Sequence, residues 1–164
     1  IAWGDYDNDG DLDIAVSGSE LPPFNNRFII YRNNGDGTFT YIAEPMGANQ
    51  GVWYSSIAWG DYDNDGDLDI AVSGDTGSSR RFIIYRNNGD GTFTQVAEPM
   101  GANQGVFCSS IAWADYDNDG DLDIAVSGDT GSARRFIIYQ NNGDGTFTNA
   151  AEQWALIKAL SIVP

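Results

Sequence analysis

Asp5-Tyr6-Asp7-Asn8-Asp9-Gly10-Asp11-Leu12-Asp13 is a nine-residue stretch that the chain writes three times, returning letter for letter at Asp61 to Asp69 and at Asp115 to Asp123. Every copy sets carboxylates at positions 1, 3, 5, 7 and 9 and a glycine at position 6. A hard cation such as Ca²⁺ takes six to eight oxygens at roughly 2.3–2.6 Å in a flexible shell, and short Asp side chains at alternate positions can converge on it. Glycine at position 6 permits the sharp turn that brings the later ligands back towards the earlier ones.

The spacing matches the opening of the EF-hand loop, D-x-[DN]-x-[DN]-G. The Glu that closes an EF-hand at position 12 is missing, because Val16, Val72 and Val126 stand there. Asp13, Asp69 and Asp123, at position 9, are therefore expected to close the shell. Asp11, Asp67 and Asp121, at position 7, are expected to offer backbone carbonyls and leave their carboxylates in the outer shell or in solvent. The candidate metal ligands are then Asp5, Asp7, Asp9, Asp11 and Asp13, with Asp61, Asp63, Asp65, Asp67 and Asp69, and Asp115, Asp117, Asp119, Asp121 and Asp123. The competing reading is three solvated acidic turns, since Asp, Asn and Gly favour turns. Five alternating carboxylates in each of three loops repel one another without a cation, and this favours three calcium sites. Mg²⁺ fits less well, because it demands a stricter octahedron and sheds its waters reluctantly.

Outward from these loops, the repeats run 1–56, 57–110 and 111–164 and use up all 164 residues. The first is longer through an insertion between Ser17 and Phe28. In the second unit four strands are expected. Ser55 to Asp61 alternates large and small side chains, and after the acidic loop Leu68, Ile70 and Val72 mark one face of a second strand. Arg81 to Arg86 is rich in β-formers. Asn87 to Gly91 reads as a hairpin loop whose Asn and Gly supply positive φ, and Thr92 to Val96 is the fourth strand. Four antiparallel strands in about 54 residues make a β-propeller blade, and such sheets must stack to cover their faces. The fold class is all-β: three tandem four-stranded antiparallel propeller-type blades. Trp3, Trp59 and Trp113 at equivalent places could serve as sugar platforms, but inter-blade core is the preferred reading. Tyr31, Tyr85 and Tyr139 are read the same way.

The unit I-A-W-G-D-Y-D-N-D-G-D-L-D-I-A-V, followed by Y-R-N-N-G-D-G-T-F, resembles the FG-GAP/VCBS repeat. That family builds calcium-binding β-propellers, including the integrin α-subunit head and many bacterial surface and secreted proteins. The resemblance implies that the fifteen Asp residues named above are metal positions. Two departures matter. Three blades fall short of the four to eight that close a ring, so exposed blade faces should seek partners. The third unit also differs from the second at five positions between 111 and 152 and at all twelve from Gln153 to Pro164. That divergent apolar segment, 153–164, is compatible with a capping strand, a short helix or a docking segment.

The formal charge is −16, with 15 of the 20 Asp in the three loops, one Lys and no His. Three Ca²⁺ would bring it to about −10, still acidic enough to disfavour nucleic acid or an anionic membrane. One cysteine, Cys108, excludes an internal disulfide and reads as a semi-buried filler. There is no transmembrane run and no signal peptide. The chain lacks an initiator Met and begins inside a repeat, as a processed or excised piece would. The parts for a Ser-His-Asp or Cys-His centre, or for a Cys/His zinc site, are missing. Paired carboxylates could cleave glycosides, but the acidic clusters recur in every unit where a catalytic centre is unique, so a non-catalytic chain is expected. The expected function is a calcium-stabilised structural or adhesive module of an extracellular or cell-surface protein. It would assemble with further blades or other copies of itself, as a ring or a filament. The alternative is a carbohydrate-binding propeller whose repeated junctions bind glycans with avidity.

Overall fold

The structure is a computed structural model and describes residues 1–20 and 25–152, the last two as backbone only. The expected tail segment 153–164 lies outside the described residues, as does part of the first unit's insertion. Twelve strands form three four-stranded antiparallel sheets, each in sequence order. Blade 1 holds β1 (Ala2–Gly4), β2 (Asp13–Ser19), β3 (Asn26–Asn33) and β4 (Phe39–Ala43). Blade 2 holds β5 (Trp53–Gly60), β6 (Asp69–Asp75), β7 (Arg80–Asn87) and β8 (Phe93–Ala97). Blade 3 holds β9 (Phe107–Ala114), β10 (Asp123–Asp129), β11 (Arg134–Asn141) and β12 (Phe147–Glu152). No helix occurs among the described residues, so none is long and apolar enough to cross a membrane.

The expected strands are present with small shifts. β5 starts two residues before Ser55, because a bulge between Trp53 and Ser56 lets the chain keep pairing with β6 while turning into the sheet. The strand after the acidic loop begins at Asp69, and Leu68 stands just outside it. In the hairpin loop Gly89 and Gly91 have positive φ and the asparagines do not. Their amides are used for hydrogen bonds instead: Asn88 bonds Thr92 and Thr94, and Asn87 is buried. Cys108, expected to be half-buried, is exposed. It occupies the second place of β9, where the bulge turns the side chain out, as Tyr54 does in β5.

The blades stack face to face, and the first strands of neighbouring blades lie side by side. Alternation along a strand sends successive side chains to opposite faces, so one blade feeds two cores. Ala15, Phe28 and Ile30 of blade 1 meet Ile70, Val72, Ile83 and Tyr85 of blade 2, with Val52 of the connecting segment sealed between them. Ala71, Phe82 and Ile84 from the other face of blade 2 meet Ile124, Val126, Ile137 and Tyr139 of blade 3, with Val106 in the matching place. Blade 2 is therefore covered on both sides, and six consecutive β6 residues are buried. Trp59 and Trp113 are inter-blade core, as expected. Trp3 is not: it lies on the face of blade 1 that no described blade covers and is 54% exposed.

Candidate metal centre

Each acidic loop joins the first strand of a blade to the second and is shaped by its own carboxylates. The Asp5 carboxylate accepts the backbone N–H groups of Asp9 and Gly10 at 3.1 and 3.0 Å, which folds the loop back on itself. Asp9 accepts the N–H of Asp11 at 2.9 Å. Asn8 and Gly10 take positive φ, 59° and 94°, and complete the turn. The second and third loops repeat the same bonds and angles.

Position 9 is the structural pivot. Asp69 is fully buried and accepts the N–H of Asn87 at 2.9 Å and of Tyr62 at 3.1 Å, tying the loop to the end of β7. Asp13 and Asp123 are buried with equivalent partners, Asn33 with Tyr6 and Asn141 with Tyr116. A buried carboxylate with only neutral donors is an electrostatic liability. Burial pushes the Asp69 carboxyl up to about 7, the two N–H donors opposing it only in part. Asp13 is raised by the same cause. Asp7, Asp63 and Asp117 are also raised, first by burial and then by the carboxylates of Asp9, Asp65 and Asp119 beside them.

Carboxylate oxygens of Asp5, Asp7 and Asp13 lie within 4.8 Å of one another, as do those of Asp61, Asp63 and Asp69 and of Asp115, Asp117 and Asp123. Oxygens on opposite sides of a calcium ion stand about 4.6–5.2 Å apart, twice the metal–oxygen distance. Three oxygens inside that span fit one coordination sphere, and hard carboxylates are the donors Ca²⁺ takes. Positions 5 and 7 stand outside this trio. The carboxylates of Asp67 and Asp121 are instead reached from the preceding blade, by the side-chain amides of Asn8 and Asn64 at 2.9 Å. Asp11, in the first blade, lies against Gly35.

These amides were not legible as site residues in the sequence, nor were Asn87 and Asn141. The Asn87 amide donates to Tyr6 O of blade 1 at 2.8 Å and to Leu68 O, while its oxygen accepts from Gly89 N. Asn141 does the same to Tyr62 O, Leu122 O and Gly143 N. The acidic loop of one blade is thus bolted to the hairpin loop of the next. The only sequence signal is that Asn recurs at position 4 of every loop and at the head of every N-N-G-D-G.

The FG-GAP-like repeat family matches at residues 5–72 and 73–126, well over half the chain. The chain belongs to the FG-GAP-like repeat family. Among relatives of this FG-GAP-like chain, cartilage acidic protein 1 of Xenopus tropicalis is 30% identical over 114 residues, which cover 68% of the chain and 17% of that protein. Cartilage acidic protein 1 of Homo sapiens is 28% identical over 121 residues, covering 70% of the chain and 18% of the relative. The FG-GAP-like chain therefore spans less than a fifth of these relatives. A solved structure of an Agrocybe aegerita lectin, described for specific recognition of non-reducing terminal N-acetylglucosamine, superposes with a TM-score of 0.58 at 26% identity. It covers 92% of this chain and 37% of the lectin.

Proposed function

We propose that the chain is a non-catalytic, calcium-stabilised structural repeat module of an extracellular or cell-surface protein, and that its blades pack against further blades or further copies. The observation that carries this is the trio of converging carboxylates at the same place in every blade, with its position 9 member buried. Asp5, Asp7 and Asp13 would hold the first ion, Asp61, Asp63 and Asp69 the second, and Asp115, Asp117 and Asp123 the third. Asp9, Asp11 and their counterparts would complete the shells or adjust the charge around them. The ion supplies the positive charge that each trio otherwise lacks. The rest is done by the chain: position 1 folds the loop, position 9 anchors it, and the position 4 asparagine carries the ordered loop to the next blade.

Millimolar calcium outside cells suits sites of this kind, and the cartilage acidic protein relatives agree with an extracellular setting. A structural role is favoured over a catalytic one because the clusters recur identically and the sequence has no His. Calcium titration of the metal-free chain by calorimetry is expected to give three ions per chain. Absence of any calcium-dependent heat or stabilisation would overturn this function.

A second reading, glycan binding, is supported by the lectin's likeness and by two equivalent clefts of about 490 and 470 Å³ at the blade junctions. Polar groups such as Asn103, Gln104 and Arg135 line one, and Asn49, Gln50 and Arg81 line the other. Terminal N-acetylglucosamine is the first sugar to try on a glycan array, with calcium present, and an array without hits removes this reading.

A further inference from the structure

The three buried position 9 carboxylates lie on one continuous line of hydrogen bonds. Asp13 accepts the N–H of Tyr6 at 3.1 Å, and the carbonyl of Tyr6 accepts the side-chain amide of Asn87 at 2.8 Å. The backbone N–H of Asn87 then donates to Asp69 at 2.9 Å. From Asp69 the same steps repeat. Tyr62 N donates to Asp69 at 3.1 Å, the Asn141 amide donates to Tyr62 O at 2.7 Å, and Asn141 N donates to Asp123 at 2.9 Å. Every residue on this line is buried.

Neighbouring trios are thus joined through one residue each, Asn87 between the first and second and Asn141 between the second and third. The Asn87 amide rests on Tyr6 O of one loop and on Leu68 O of the next, the latter at 3.3 Å, while its oxygen accepts Gly89 N at 3.0 Å. A side chain fixed at three points carries a movement of one loop to the other. The contacts at the rim differ, because Asn8 and Asn64 reach Asp67 and Asp121, which stand outside the trios.

Without a cation the carboxylates of a trio repel one another, which favours a looser loop. A cation held by Asp5, Asp7 and Asp13 would draw Asp13 into place and, through Tyr6, set the carbonyl on which the Asn87 amide rests. The Asn87 N–H is then aimed at a carboxylate of the second trio. A carboxylate has lone pairs for both an N–H and an ion, so this bond orders the ligand and leaves it able to bind. The second ion meets a loop already partly ordered, and less conformational entropy is lost when it binds.

We propose that Asn87 and Asn141 couple the three calcium sites, so that an ion in one trio raises the affinity of the adjacent trio about fivefold or more. The coupling is reciprocal, and the middle site takes part in both couplings. This rests on the calcium reading of the trios.

Calcium competition against a chromophoric chelator, on the full chain reduced to two sites, tests this. Asp7→Ala and Asp117→Ala each replace an exposed member of one trio, leaving sites two and three or sites one and two. Each two-site chain is expected to bind two ions with a Hill coefficient above one. In the Asp7→Ala chain, Asn141→Ala is expected to bring that coefficient to one and Asn87→Ala to leave it above one. In the Asp117→Ala chain the two asparagines exchange roles. This crossover separates coupling from folding, because the two asparagines hold equivalent places and a purely structural loss would act alike in both chains. A comparison without asparagine variants gives an independent answer: adding Asp63→Ala to the Asp7→Ala chain is expected to weaken the remaining site about fivefold or more. Two ions bound with a coefficient of one, or an unchanged remaining site, overturns the coupling and leaves the calcium reading in place. Equal effects of both asparagine variants in both chains overturn it too, by assigning the cooperativity to folding of the whole stack. Failure to bind calcium at all overturns the underlying function, and the coupling with it.

Discussion

Asp69 shows how one side chain joins two tasks that pull against each other. It is buried, which disfavours its charge, and it anchors its loop through two backbone N–H groups, which requires that charge. On the proposed calcium reading, a bound cation would reconcile the two. Asp69→Asn keeps the shape but turns one acceptor into a donor facing an N–H. It is expected to cost about 1–3 kcal/mol and to lower the calcium count per chain from three to two, read by calorimetry and metal analysis. An unchanged count would show that position 9 is not a ligand. Gly60 makes the steric counterpart. Its φ is ordinary, so Gly60→Ala strains no backbone, yet the new methyl meets Trp113. A loss of about 1–3 kcal/mol from overpacking is expected in a urea melt. The chain already has Ala at the equivalent position 114, where no tryptophan packs among the described residues.

At the scale of the element, a strand's contribution depends on whether its blade has a neighbour on that side. Trp59 and Trp3 are the same residue at the same place in the repeat, one in the inter-blade core and one facing solvent. Trp59→Ala removes a large packed side chain and is expected to cost about 3–5 kcal/mol. Trp3→Ala is expected to stay within about 0.5 kcal/mol, as exposed substitutions do. Asn87→Ala and Asn33→Ala form a second such pair. Loss of the buried amide that bridges blades 1 and 2 leaves Tyr6 O and Leu68 O without that donor, at about 1–3 kcal/mol, and the half-exposed Asn33 is expected to matter less. Equal effects within either pair, measured by chemical denaturation, would mean that the joints contribute little to stability.

For the molecule as a whole, the proposed function makes charge the quantity that decides whether the stack holds. Three acidic loops in a chain of formal charge −16 are bolted to one another through asparagine amides, so the loops must keep their shape for the blades to stay in register. At a free concentration 100 times Kd each bound ion adds about 2.7 kcal/mol, and three independent sites add roughly 8. That is comparable to the whole stability of an ordinary domain, about 5–15 kcal/mol. EGTA is expected to lower the melting temperature sharply or to unfold the chain. The same calorimetric transition with and without calcium would show that the ions are not structural.

The sequence by itself determined the local unit. Alternating apolar residues around an acidic loop dictated the strands, and the alternating carboxylates of that loop marked five candidates per turn, because both follow from short-range geometry; only the fold set Asp5, Asp7 and Asp13 apart from Asp9 and Asp11. Tertiary structure decided what identical residues do. D-I-A-V-S-G occurs at 13–18, 69–74 and 123–128, yet all six of its residues are buried only in the middle blade. Whether Asn87 is a loop residue or a bolt, and whether Trp3 is core or surface, depends on a sheet more than fifty residues away. A repeated sequence contains no local record of which copy stands in the middle of the stack.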